Sequence, residues 1–378
     1  MNERTRFARN MFSGATMHGT FCRLAEIFPI STMAASPSPR PFPAGQPLAL
    51  PTTFEHEGQK RSLEAFLTGT DTVALLVIED GRLCHERYAL SGGPGVQWTS
   101  MSVAKSFVSA ALGIAWGDGL LGDVRQDICV HLPELRGSAY DGVSIKDVLQ
   151  MSSGARWNED YSDPDSDINR FIDVFANGGS FNSLAPRLVR QRPPGTYNLY
   201  NSLDTQVLGM LLKRVTGEPI RDYMERKLWH PLGMEDDAHW LVDSEGMEMA
   251  FGGLQATARD FAKIGELFRR KGDWFGRQIV PAEWVEASVT PDAPHLLPGD
   301  MTHSDSLLGY GYQWWLMDGD EGEYSAIGVY NQFVYVNPAR KLVIAKLSAN
   351  PTYGVTNDEA SNREFETISL FRAIGKAL

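Results

Sequence analysis

Ser102 and Lys105 stand three residues apart in the stretch Thr99-Ser100-Met101-Ser102-Val103-Ala104-Lys105-Ser106-Phe107. Residues at that spacing share one face of a helix, so the lysine amine can reach back to the serine hydroxyl. A serine hydroxyl is a poor nucleophile until a neighbouring base takes its proton, and a buried lysine can lose enough proton affinity to be that base. A second candidate is Tyr200, at the tip of the turn-rich loop from Arg192 to Ser202 and just before a helix that starts near Leu203. A phenol that is anionic, or that shares its proton with a buried lysine, can serve as general base and then as the acid for a leaving group. Ser-x-x-Lys arises on the order of once by chance in a chain with this much Ser and Lys, as a capping serine and a surface lysine. Context has to decide.

The first piece of context is the helix. Phe107, Val108, Ala111, Leu112 and Ala115 recur at helical spacing, and Gly119 follows where the helix would stop. Ser102 then lies in the first turn, where unpaired backbone N–H groups and the helix dipole favour a developing negative charge. Upstream, the runs Val73 to Ile78 and Leu83 to Tyr88 are joined by Glu79-Asp80-Gly81-Arg82, whose Asp-Gly reads as a hairpin. The loop Ser91 to Gly95 lacks the Gly-Lys-Ser/Thr ending of a phosphate loop and reads as a plain turn.

From Gly119 to about Leu307 the pattern is mostly helical. Helices are expected at Ser144 to Met151, Ile168 to Ala176, Thr205 to Val215, Ile220 to Trp229, Thr257 to Lys271 and Ala282 to Ser288. The period then switches to strands at Tyr310 to Met317, Tyr324 to Tyr330, Gln332 to Val336 and Lys341 to Leu347, and a helix over Ser361 to Lys376 closes the chain. Strands at both ends with helices between them imply an antiparallel sheet assembled from distant segments. The expected organisation is an N-terminal extended arm (1–55), a sheet domain from 56–98 and 307–378, and a helical domain (99–306) that carries Ser102 and Tyr200. In the arm, Phe12 to Ile27 reads as helix-like, Ser62 to Leu67 just beyond it as a short helix, and the Pro-rich run Pro29 to Pro51 as extended chain.

Composition narrows the function classes. The 378 residues are 43% hydrophobic and 22% charged, with nine Trp and eighteen Phe, which describes a globular chain with a large core. A net charge of -12 without a Lys/Arg cluster argues against nucleic-acid binding. Three scattered cysteines, Cys22, Cys84 and Cys129, suggest neither a disulfide framework nor a zinc site and fit a reducing compartment. No metal or other cofactor is expected, since the eight histidines are scattered and His85-Glu86 has no second His at zinc-hydrolase spacing. The basic start is not followed by an uninterrupted apolar run, nor does any run approach a membrane span, so a cytoplasmic location is expected.

Taken together, Ser102-x-x-Lys105, Pro194-Gly195 leading to Tyr200-x-Ser202, Leu208-Gly209, Val215-Thr216-Gly217 and Gly252-Gly253-Leu254 before Thr257-Ala258-Arg259-Asp260 resemble the serine hydrolases of the class C β-lactamase superfamily. Asn158-Glu159-Asp160-Tyr161, Tyr200-Asn201-Ser202 and Gln332 after Tyr330-Asn331 are most similar to its 6-aminohexanoate-dimer hydrolase (nylon-oligomer hydrolase) branch. The resemblance implies an α/β (α+β) fold of the β-lactamase/transpeptidase type, an antiparallel sheet flanked by helices with an inserted all-helical domain. It also implies an acyl-enzyme on Ser102, with Lys105 and Tyr200 moving protons and no cofactor. The oxyanion would be held by the N–H of Ser102 and one from the strand around Val329 and Tyr330. Tyr161 would line the pocket, and Ser202 would bind substrate where many relatives carry an Asn of longer reach.

The strand at Val329-Tyr330-Asn331 lacks the Lys-Thr-Gly with which β-lactamases and peptidases grip a carboxylate, which argues against those activities. A small ester or linear amide is the expected substrate, with a homodimer allowed and neither nucleic acid nor membrane as partner. The acidic run Glu159, Asp160, Asp163, Asp165, Asp167 could attract an amine-bearing substrate or simply cap turns and the next helix. The alternatives are a 6-aminohexanoate-oligomer amidase or a noncatalytic binding protein on the same fold.

Overall fold

The computed structural model describes residues 17–299, 301–356 and 358–378. In chain order the strands that matter here are β1 (Ile30–Met33), β2 (Thr72–Glu79), β3 (Arg82–Tyr88), β4 (Trp98–Thr99), β5 (Ala238–Leu241), β6 (Leu254–Ala256), β7 (Gly309–Tyr310), β8 (Trp315–Leu316), β9 (Tyr324–Gly328), β10 (Gln332–Asn337) and β11 (Leu342–Ser348). The helices are α1 (Leu63–Gly69), α2 (Ala104–Gly117), α3 (Asp167–Ala176), α4 (Ser202–Thr216), α5 (Ala258–Arg269) and α6 (Glu364–Lys376).

Seven strands form one antiparallel sheet in the order β7-β8-β9-β10-β11-β2-β3. The β2–β3 hairpin turns where Asp-Gly sits, with Asp80 and Gly81 both at positive φ, as a tight hairpin requires. Alternating side chains of the central strands feed two cores. Leu76, Ile78, Val334, Val336, Val343 and Ala345 join the larger core, where α5 lies across the sheet. Leu75, Val77, Phe333, Tyr335, Leu342 and Ile344 face the other way, onto α1 and α6 through Phe66, Leu67, Ile368, Phe371 and Ile374. Both faces are covered, so these strands are apolar at nearly every position and each such side chain contributes about 1.5–3 kcal/mol of burial.

A second, four-stranded sheet has the order β1-β5-β6-β4. It corrects the reading of Pro29 to Pro51 as wholly extended and of 119–307 as mostly helical. The proline-free stretch Ile30-Ser31-Thr32-Met33 pairs as an edge strand with β5, and β5 with β6. The helix read over Phe12 to Ile27 lies partly outside the described residues; its remainder is two short pieces, Met17–Phe21 and Leu24–Ile27.

Most expected helices form close to where they were read, with Ser62, Ser144, Ser166, Asn201 and Thr257 each accepting a backbone N–H at the N-cap. Three expectations change. Tyr310 to Met317 is a hairpin of β7 and β8, because Gln313 at φ 65 reverses the chain. Its buried side chain accepts from the Thr205 hydroxyl at 2.6 Å and donates to the Leu149 carbonyl at 2.8 Å. The closing helix is split by Arg363 at φ 56 into Glu359–Asn362 and α6. Helix α5 lies within the span read as the helical domain, yet it packs on β10, β11 and β2 of the large sheet.

Helix α2 is buried from Ala104 to Ala115, and its tightness can be tested at Gly113, where a Cβ would stand 2.5 Å from the Trp284 ring. Gly to Ala inside a helix normally stabilises by about 1 kcal/mol, but overpacking here costs about 1–3 kcal/mol. Gly113→Ala is expected to lower the melting temperature, as read by thermal unfolding; a rise would show that the contact yields freely.

Candidate active site

Strand β4 delivers the chain to Ser102. The Ser100 N–H donates to the Leu254 carbonyl on β6 at 2.8 Å, and Met101 then takes φ 45, a left-handed conformation that a residue with a Cβ holds only at a cost of about 1–3 kcal/mol. A 3-10 turn, Met101–Val103, passes into α2. Gly328, the last residue of β9, closes on this turn so tightly that a Cβ there would lie 2.8 Å from the Ser100 carbonyl and 3.0 Å from the Ser102 nitrogen. The hydroxyl-bearing residue is thus clamped between two sheets and 8% exposed.

Lys105 is 1% exposed and its amine has three partners: the Ser102 hydroxyl at 2.7 Å, the Ser202 hydroxyl at 3.1 Å and the Phe251 carbonyl at 3.0 Å. The protons can be assigned from the partners. A carbonyl only accepts, and the Ser202 hydroxyl gives its own proton to Glu159 Oε1 at 2.6 Å, so it too must accept from Lys105. In the neutral amine both N–H donors are then used, and the lone pair is left for the Ser102 O–H. Burial pushes the Lys105 ammonium down to about 7, opposed by the negative charge of Glu159.

Tyr200 stacks on Trp315 at 5.0 Å between ring centroids, and the Lys105 amine lies 5.0 Å from the centre of its ring. Burial and the Glu159 charge hold the phenol well above its ordinary range, and the hydrogen bond with Ser102 pulls it partly back. The phenol therefore carries its proton at neutral pH. Of the two roles open to it in the sequence, acid and anionic base, the resting state matches the acid.

Ser102 opens onto a cavity of about 420 Å³ whose wall includes Glu159, Tyr161, Tyr200, Trp315, Val329 and Glu364. Its carboxyl groups are Glu159, Asp160, Asp305 and Glu364, and no Lys or Arg lines it among the described residues. Burial raises Asp305 to about 6 and Glu364 to about 7. Ser102 and Lys105, neighbours at the start of one helix, and Tyr200, from a distant part of the chain, are therefore brought together, with Tyr161 and Val329 on the same wall. Tyr330, expected to contribute through its backbone beside Val329, has φ 64 and packs its ring on Phe21 and Tyr353. One expected residue stands elsewhere. Ser202 is fully buried beneath the site, and its hydroxyl reaches Lys105 and Glu159 instead of the cavity.

Glu159 was not singled out as a site residue. Its carboxylate accepts from the Ser202 amide at 3.1 Å, the Ser202 hydroxyl, the Tyr161 phenol at 3.2 Å and the Trp157 indole. The rest of the acidic run does what turn residues do. Asp163 and Asp167 accept from Asn158, Asp160 accepts from Ser162, and Ser166 caps α3. The signal for Glu159 was Trp157 two residues before it, an indole N–H that needs an acceptor once buried. Among the described residues, no group of three or more His, Cys, Asp or Glu is placed to hold a metal ion, and no helix is long and apolar enough to cross a membrane.

Residues 60–366 match the family model Beta-lactamase. The chain is 30% identical over 339 residues to 6-aminohexanoate-dimer hydrolase of Paenarthrobacter ureafaciens, covering 88% of this chain and 85% of that one. A solved Bacillus anthracis structure that bears the provisional name 6-aminohexanoate-dimer hydrolase superposes with a TM-score of 0.83 at 21% identity, over 97% of this chain and 96% of the other. A family VIII carboxylesterase superposes with a TM-score of 0.62 at 13% identity, over 83% and 95%. Fold and site define a serine hydrolase built on the β-lactamase/penicillin-binding-protein fold. The chain belongs to the beta-lactamase family.

The Glu159 charge favours the protonated amine of Lys105, so its removal lowers the pH at which the amine becomes neutral. In the parent protein kcat/KM is expected to rise with pH through about 7, as Lys105 loses its proton. Glu159→Gln is expected to move that limb down by about one pH unit. A limb that stays where it was would show that Lys105 does not set it.

Proposed function

We propose that this chain cleaves a small carboxylic ester or linear amide through an acyl-enzyme on Ser102. The observation that carries the reading is the bonding of Lys105, whose two donors are occupied by Phe251 and Ser202 and whose remaining site faces the Ser102 hydroxyl. In acylation Lys105 takes the proton as Ser102 Oγ bonds to the carbonyl carbon. The oxyanion develops beside the Ser102 amide at the end of β9, with the Val329 backbone on the same wall. Tyr200 gives its proton to the departing alcohol or amine and recovers one from the Lys105 ammonium. Water then attacks the acyl carbon, its proton passing to the same pair, and the Ser102 hydroxyl is restored.

A second reading, a 6-aminohexanoate-oligomer amidase, is favoured by the carboxyl-lined cavity, which suits an amine-bearing substrate, and by the likeness to the Paenarthrobacter ureafaciens enzyme. The absence of Lys and Arg among the described lining residues removes the grip on a substrate carboxylate that a β-lactamase or peptidase needs.

Ser102→Ala and Lys105→Ala are each expected to lower kcat/KM by at least about 1,000-fold with the fold intact by circular dichroism. Tyr200→Phe is expected to cost about 100-fold on alkyl esters and amides, and less on p-nitrophenyl esters, because nitrophenolate leaves without a proton. Assays on p-nitrophenyl esters and on the linear 6-aminohexanoate dimer separate esterase from amidase. Full turnover by Ser102→Ala would overturn the mechanism and favour a noncatalytic role for these side chains.

A further inference from the structure

Two cavities meet at Ser102. Besides the carboxyl-lined one, a slot of about 60 Å³ also borders the serine. Its walls come from α3 through Phe171, Ile172 and Phe175, from β5 through Leu241, and from Met249 and Phe251. Ser102, Tyr161 and Val329 border both spaces. The described residues lining the slot include no Asp, Glu, Lys, Arg or His, whereas Tyr200, Glu159 and Glu364 line only the larger cavity.

The position of the proton donor orients the substrate. When Ser102 Oγ bonds to a carbonyl carbon, the substituent whose bond breaks must receive a proton, and Tyr200 supplies it from the larger cavity. The Tyr161 phenol, on the border, already donates to Glu159. The leaving group therefore lies on the carboxyl-lined side. The substituent that stays on the carbonyl carbon points the other way, into the slot.

We infer that this slot is the acyl pocket and that it restricts the enzyme to short, uncharged aliphatic acyl groups while the alcohol or amine side is loosely held. This rests on the reading of Ser102 as nucleophile and Tyr200 as acid, and deepens its ester form: a charged 6-aminohexanoyl group is excluded from the slot, so rapid cleavage of the linear 6-aminohexanoate dimer would overturn the inference. The slot's 60 Å³ corresponds to about two waters at about 30 Å³ each, so a short alkyl chain fills it and a longer one meets the α3 wall. A charged group there would find no partner and lose its hydration. The covalent step balances as before: the Ser102 Oγ–acyl bond forms, the acyl–oxygen bond breaks, and the freed alcohol leaves with the Tyr200 proton.

The test uses two isomeric esters, octyl acetate and methyl nonanoate, which place the same long chain on the alcohol side or on the acyl side. The parent protein is expected to cleave octyl acetate faster by at least about tenfold in kcat/KM. Equal rates, or a preference for methyl nonanoate, would overturn the inference. Ile172, half-buried on α3 and shared with an adjoining cavity, offers a second variant. Ile172→Ala opens the slot's outer wall and is expected to raise methyl nonanoate relative to octyl acetate, and an unchanged ratio would count against the slot. Failure of the underlying reading looks different: neither ester, nor p-nitrophenyl acetate, would be turned over by the parent, or Ser102→Ala would retain the activity.

Discussion

The site depends on an amine removed from water. A lysine fully inside a protein keeps its charge only if that charge is compensated, and the compensation offered to Lys105 is partial. One carboxylate, Glu159, acts through the Ser202 hydroxyl instead of touching the amine. This intermediate arrangement lowers the amine to about 7, so that near neutral pH its charged and neutral forms are both populated. A direct ion pair would have locked the proton on Lys105, and a wholly apolar pocket would have made the amine too weak to take one. Ser202 sets the balance by donating its hydrogen bond to Glu159 and so presenting only an acceptor to Lys105.

The rest of the fold holds that amine and its partners in place. The four-stranded sheet joins β4, which leads into Ser102, to β6, which follows the Phe251 carbonyl in the chain. The seven-stranded sheet brings Gly328 against the Ser102 amide. Helix α4 begins at Ser202, two residues after Tyr200, so one helix start supplies both the phenol and the bridging hydroxyl. The cost of the left-handed Met101 is borne by two sheets and a buried helix, which over-determine its conformation.

Much of this was visible in the chain before folding. Periodicity placed α2 and the central strands, and a capping residue such as Thr257 placed a helix start, because those signals are local. Ser102, Lys105 and Tyr200 were found because their types and spacing bear on chemistry. What escaped depended on distant contacts. Ile30 to Met33 became a strand only because β5 was there to pair with it. Gln313 broke an aromatic-rich run because its amide met Thr205 and Leu149 from other segments. Glu159 sat among acids that mostly serve turns, and only the approach of Ser202 from α4 separates its role from theirs. The slot beside Ser102 is built from α3, β5 and the segment before β6, so no single stretch of sequence announces it.

The most direct measurement is a rapid-quench experiment with p-nitrophenyl butyrate, in which protein stopped during the first turnover is digested and the peptides are examined by mass spectrometry. A butyryl group is expected on the peptide containing Ser102, formed as nitrophenol is released and absent from Lys105→Ala. Release of nitrophenol with no adduct on Ser102, or with the adduct on another residue, would contradict the acyl-enzyme on Ser102.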